Sequence, residues 1–306
     1  MASNVAIEAR GLSKTYGRHR AVSDVTFRVE PGEIVGFLGP NGAGKTTTLR
    51  MLLGLARPTQ GQAFLLGEPS PPPRSVAVRV GVLFEEPGFY PWMSGRRNLE
   101  VLLGDLADHA DIDGALTAAG IEAASGRKVK AYSRGMRQRL ALALALCGAP
   151  DVLILDEPGD GLDPAGTREI RSVLRSQADR GCAILLSSHQ LSEVERACDR
   201  VIILSGGKVI ASGTTKELGG DEAWISVEVP PDQEGVALRV LSRYEARREG
   251  PGRILVRGDS GRVVAETLAA AGIFPESILP RASTLEEHFL QLTERTAGVD
   301  EERDRS

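Results

Sequence analysis

The chain has 306 residues, 25% of them charged and 42% hydrophobic, enough for one large domain and one small one with ordinary buried cores. A formal net charge of -4, with Lys and Arg scattered along the chain, gives no electrostatic reason to expect nucleic acid as the main partner. The longest apolar run, 140–147, is far too short to span a bilayer, and residues 1–10 lack the apolar block and cleavage site of a secretory signal.

In chain order, 5–9 and 25–29 alternate like strands, and Pro31-Gly32 turns the chain into an apolar strand over 34–38. A glycine-rich stretch follows, then a predicted helix over 47–55 and a short strand over 62–66. The proline-rich segment 69–73 precedes an apolar stretch, 78–84. Helix-like patterns then occupy 98–106, 113–120 and 135–146. Buried parallel strands are expected at 152–155, 183–187 and 201–204. Strands alternating with helices indicate an α/β core carrying an inserted helical segment. Cys147, Cys182 and Cys198 are an odd number without metal-ligand spacing and read as reduced thiols that pack.

Residues Gly39-Pro40-Asn41-Gly42-Ala43-Gly44-Lys45-Thr46-Thr47 fit the phosphate-loop pattern G-x-x-x-x-G-K-[ST] directly after a predicted strand. The glycines let the backbone wrap so that its N–H groups and the next helix's N-terminus face the α- and β-phosphates of a nucleotide. Lys45 would reach the β- and γ-phosphates, and the Thr46 hydroxyl is the oxygen ligand that Mg²⁺ needs. The strand 152–155 ends in Asp156-Glu157, which brings two carboxylates to the same C-terminal sheet edge. There Asp156 can hold Mg²⁺, and Glu157 is placed to polarise a water for attack on the γ-phosphate.

Tyr132-Ser133-Arg134-Gly135-Met136-Arg137-Gln138 resembles the signature segment of ABC ATPases, at the right spacing before Asp156-Glu157-Pro158. Gly161-Leu162-Asp163 resembles the loop that touches the opposing subunit in that family, and Ser188-His189 resembles the switch whose histidine meets the γ-phosphate. Tyr16 matches the aromatic residue that stacks on adenine, which makes ATP, with Mg²⁺, the expected ligand. The resemblance covers about 3–218 and implies a P-loop NTPase core with an antiparallel β subdomain and a helical subdomain at about 88–148. It further implies a head-to-tail homodimer or paralogous heterodimer, with each ATP between one phosphate loop and the other subunit's Ser133, Arg134, Gly135 and Gln138. Separately encoded transmembrane permease subunits, a peripheral place on the cytoplasmic membrane face and no nucleic-acid partner follow from the same resemblance. Glu85 stands where a glutamine commonly contacts Mg²⁺ and the attacking water, and Arg134 replaces a signature glycine. These two opposite charges are either partly compensating or ordinary subfamily variation.

The aromatic segment 89–93 stands out in a chain with only 4% aromatic residues. It either meets a helix of the membrane partner, as in the family, or packs internally. Asp160 either serves the dimer interface or caps a turn, while His19, His109 and His288 read as surface or packing residues. Beyond Gly219-Gly220 a small α/β extension is expected over 221–296, with strands at 224–229 and 253–256 and helices at 236–247 and 262–271. Ser283-Thr284-Leu285-Glu286 forms a capping-box start for one more helix, and 297–306 reads as a disordered tail. The segment 85–90, the signature and this extension resemble the drug- and peptide-export branch of the family. A ribosome- or DNA-remodelling ATPase is the main rival. One cassette without sustained heptads counts against it.

Overall fold

The computed structural model describes residues 5–84, 88–219, 223–258 and 260–282. They divide into two compact units, Met1–Thr215 and Lys216–Ser306.

In the first unit, β1 (Ile7–Tyr16) and β2 (His19–Val29) form a hairpin, and the fully buried β3 (Ile34–Leu38) leads through the glycine-rich loop into α1 (Lys45–Leu52). The antiparallel strands β4 (Gln60–Leu65) and β5 (Glu68–Pro69) complete a four-stranded sheet in the order β2-β1-β4-β5. After the short α2 (Arg74–Ala77) and β6 (Val80–Leu83) comes a helical insertion of α3 (Gly95–Leu103), α4 (Ile112–Ala118) and α5 (Arg134–Leu146). The chain then alternates through β7 (Val152–Asp156), α6 (Pro164–Asp179), β8 (Ala183–Ser188), α7 (Leu191–Ala197) and β9 (Arg200–Ser205). It closes with β10 (Lys208–Thr214), after which α8 (Thr215–Gly219) begins at the boundary of the two units.

The second sheet has the order β10-β9-β3-β8-β7-β6, parallel throughout except for β10 against β9. Its central strands are apolar runs because helices cover both faces of a parallel sheet. The register pairs Leu38 with Ser188 and Asp156 with Ser187, so the C-terminal ends of β3, β7 and β8 reach one edge together. Phe27 of β2 and Phe37 of β3 pack with ring centroids 5.2 Å apart, joining the two sheets in one core. All three cysteines are buried, and desolvation pushes the Cys147 and Cys182 thiols up to about 11 and about 12.

The expected strands at 34–38, 152–155, 183–187 and 201–204 are present with shifts of no more than a residue at each end. The helix expected from 47 begins earlier, at Lys45, because the left-handed Gly44 starts it. Helices α6 and α7 and strand β10 were not anticipated, although Asp163 followed by Pro164 is a legible helix start.

The second unit runs β11 (Ala223–Glu228), α9 (Glu234–Val240), β12 (Ala246–Gly250), β13 (Arg253–Arg257), α10 (Gly261–Ala270) and β14 (Ser277–Ala282). Its antiparallel sheet has the order β12-β13-β11-β14, the ferredoxin-like split βαβ arrangement. Ala237, Leu241, Val264 and Leu268 pack on Ile225, Val227, Ile254 and Val256 as a core of its own. The helix expected over 236–247 is corrected here: it stops at Val240, and Glu245 turns left-handed at φ 55° before β12 pairs with β13. Strand pairing has overridden a helical pattern. Strand β14 was hidden by Pro280, which an edge strand tolerates. Ser283, the expected final helix and the tail lie outside the described residues.

Gly81 of β6 lies so close to α5 that a Cβ there would stand 2.1 Å from the Ala145 carbonyl oxygen. Gly81→Ala is therefore expected to lower stability by about 1–3 kcal/mol, read as a lower denaturant midpoint with an unchanged m-value.

Candidate active site

The glycine loop opens into a cleft of about 330 Å³ lined by Tyr16, His19, Ala21, 40–47, Asp156 and Glu157. Gly44 sits at φ 97°, and a Cβ there would stand 2.6 Å from the Ala21 carbonyl oxygen, so conformation and space both demand glycine. The turn it makes swings Lys45 inward. This side chain is only 8% exposed, with its ammonium donating to the Gly39 carbonyl at 2.6 Å and standing 4.0 Å from Glu157 Oε1. Burial lowers the Lys45 pKa, partly opposed by the charges of Glu157 and Asp156.

At the next residue, the Thr46 hydroxyl donates to Asp156 Oδ2 at 2.8 Å, and Ser187 donates to the other oxygen of that carboxylate. Asp156 is buried at the end of β7, so both of its oxygens are engaged and its direction is fixed. Glu157 leaves the strand in the left-handed region, at φ 52°. Three contacts hold this strained position: its N–H donates to Ser187, its carbonyl accepts from Gln138 Nε2 at 2.9 Å, and its carboxylate meets His189 Nδ1 at 2.9 Å. Burial raises the Glu157 pKa, while His189 and Lys45 pull it back down. Burial thus favours the neutral form of this carboxylate, and its two neighbours oppose that.

Ser133, Arg134 and Gly135 do not line this cleft. Ser133 caps α5 by accepting from the Met136 N–H at 3.2 Å, Arg134 pairs with Asp160, and Asp163 caps α6 through the Gly166 N–H at 2.8 Å. Within one chain they therefore form a second cluster, joined to the first through Gln138. Asp160 holds a cation as well as lying in a turn, an outcome that neither of its two expected roles described. Glu85, whose charge was expected either to offset that of Arg134 or to be subfamily variation, lies outside the described residues.

His19 is exposed, as expected of a surface residue, and its place on the surface is the cleft wall beside Tyr16. The two residues face each other across the β1–β2 turn as the last register pair of the hairpin. Strand alternation alone could not show that this turn bends over the glycine loop. Tyr16 is 49% exposed at the cleft mouth, with the Lys14 ammonium 4.9 Å from its ring centroid.

The family model described as ABC transporter matches residues 22–160. Among curated relatives, the Nod factor export ATP-binding protein I of Paraburkholderia xenovorans is 40% identical over 299 residues, covering 95% of this chain and 97% of that one. The bacitracin transport ATP-binding protein BcrA of Bacillus licheniformis is 35% identical over 94% of this chain and 96% of its own length. The chain belongs to the ABC transporter ATP-binding proteins. A solved ATP-binding subunit of an ABC transporter superposes with a TM-score of 0.64 at 30% identity, covering 70% of this chain and 91% of that one. The fold is also that of an ATP-binding cassette solved as a dimer in a post-hydrolysis state with ADP and Pi, at TM-score 0.62 and 22% identity over 69% of this chain and 99% of that one. This ABC ATPase binds and hydrolyses ATP.

The opposing influences on Glu157 give a signed expectation. His189→Ala removes a group that lowers the Glu157 pKa, so the acid limb of the pH profile for ATP hydrolysis should move to higher pH, alongside any loss of rate. An acid limb that stays in place or moves to lower pH contradicts this coupling.

Proposed function

We propose that this chain is the ATPase subunit of an ABC exporter, acting as a head-to-tail dimer on the cytoplasmic face of the membrane with separately encoded permease subunits. The observation that carries the reading is the convergence of Lys45, Asp156, Glu157 and His189 at one sheet edge, while Ser133 and Gly135 open a second helix N-terminus outside that cleft. One phosphate chain does not need two cradles from one subunit. The Nod factor export relative, matched over nearly the whole chain, supports the direction of transport, and the bacitracin transport relative supports a transport role. No helix among the described residues is long and apolar enough to cross a membrane, consistent with work done through partner subunits.

In this mechanism Tyr16 stacks on adenine, the 39–44 backbone and Thr47 cradle the phosphates, and Lys45 exchanges its carbonyl contacts for β- and γ-phosphate oxygens. Glu157 takes the proton of the attacking water as the new O–P bond forms and the bond to ADP breaks. His189 orients that carboxylate and meets the γ-phosphate. Thr46 and Asp156, two hard oxygen donors side by side, fit Mg²⁺, which would neutralise phosphate charge; Glu85 is the further proposed oxygen ligand. Ser133, Gly135 and Asp163 serve the opposing subunit's nucleotide. The ATPase domain is taken as 3–218, and 221–296 as an accessory domain.

The docking surface proposed for the permease is the loop around Trp92, which is 61% exposed and tilted against Tyr90 at 5.5 Å between centroids. The buried Asn98 fixes this loop, accepting from the Tyr90 N–H at 2.7 Å and donating to the Tyr90 and Ser94 carbonyls. Trp92→Ala should therefore lose most capture of the permease in a pull-down with ATP hydrolysis retained; capture at wild-type strength would remove the docking role. Glu157→Gln should stop turnover, by roughly 10³-fold or more, and leave an ATP-dependent dimer. Normal turnover by that variant would refute Glu157 as the base.

A further inference from the structure

The N-terminal turn of α5 is stitched to the loop 157–162 of its own chain at three points. Gln138 Nε2 donates to the Glu157 carbonyl at 2.9 Å, and Gly135 lies so close that a Cβ would stand 3.1 Å from the Gly161 carbonyl oxygen. The third point is Arg134, whose guanidinium pairs with Asp160 while its stem lies across Gly161. A Cβ on Gly161 would stand 2.6 Å from Arg134 Cδ, and φ there is 75°, so backbone and space at Gly161 are both shaped to this arginine.

Electrostatically the placement is odd. Arg134 occupies the first position of α5, where the helix dipole disfavours a cation. Asp160 offsets that cost within the chain. The pair is nonetheless weak: the side chains are 62% and 28% exposed, and exposed ion pairs contribute little. A polyphosphate carries more charge than one carboxylate and accepts a guanidinium through two parallel hydrogen bonds. Arg134 is therefore a cation stored on a weak internal partner, beside a helix terminus suited to anions.

We infer that Asp160 masks Arg134 in the free subunit, and that the γ-phosphate of ATP held by a second copy displaces Asp160, so this exchange sets how tightly ATP closes the dimer. The inference rests on the two-site sandwich proposed above. It gives this signature arginine a side-chain role and makes Asp160 a brake on closure. Because the phosphate carries more charge than the carboxylate it displaces, closure should also weaken as salt rises.

The test is the ATP-dependent dimerisation constant of the full chain in the Glu157→Gln background, measured by sedimentation with Mg²⁺ and ATP. Arg134→Ala should weaken the dimer roughly tenfold, with Arg134→Lys in between, because lysine keeps the charge and loses the fork. Asp160→Asn should tighten it roughly threefold by freeing Arg134, and this gain should vanish when Arg134→Ala is present. Unfolding midpoints of all four variants establish that each is folded. If the Glu157→Gln chain stays monomeric with ATP, the sandwich itself fails. If it dimerises but Arg134→Ala is as tight, or Asp160→Asn tightens the dimer without Arg134, the exchange alone is overturned.

Discussion

A buried ammonium at the edge of a parallel sheet is the constraint on which the rest of this structure turns. Lys45 reaches that place because Gly44 adopts a left-handed turn that no side chain could share with the Ala21 carbonyl. Its partners are the Gly39 and Pro40 carbonyl oxygens, at 2.6 and 3.4 Å, and, at 4.0 Å, a carboxylate oxygen of Glu157. Taking an ammonium out of water costs several kcal/mol, on the order of what such partial pairing returns, so in the proposed mechanism the site gains when phosphate oxygens arrive.

The parallel sheet makes that arrangement possible. Its register ends β3, β7 and β8 at one level, so Asp156-Glu157 and Ser188-His189 meet the phosphate loop although it lies more than a hundred residues before them in the chain. Asp156 is locked by two hydroxyls, Thr46 and Ser187, whereas Glu157 is held by its own backbone and by His189. The contrast assigns rigidity to one acid and a tunable proton affinity to its neighbour. Gln138 then ties Glu157 to the helix that begins with Ser133, so the two candidate phosphate cradles of each subunit share a mechanical connection.

Much of this was legible in the sequence for identifiable reasons. Buried parallel strands are apolar runs bounded by turn residues, so 34–38 and 152–155 announce themselves, and the phosphate loop is a short-range motif whose shape glycine dictates. What was not legible depends on contacts between distant segments. The turn that brings His19 to the cleft, the pairing of Arg134 with Asp160 and the strand that replaced the end of a predicted helix near Glu245 are all set by tertiary partners. Local pattern carries no record of them.

The most direct measurement is calorimetric titration of Mg²⁺ and ATP into the wild-type chain and into Lys45→Ala and Lys45→Met. Met keeps most of the side-chain volume without its charge, which separates packing from electrostatics. If the buried ammonium at this edge is the phosphate-binding group, both variants lose affinity by about 100-fold or more while remaining folded. Affinity for ATP within about twofold of wild type in either variant, a difference of only ~0.4 kcal/mol, would contradict the account at its centre.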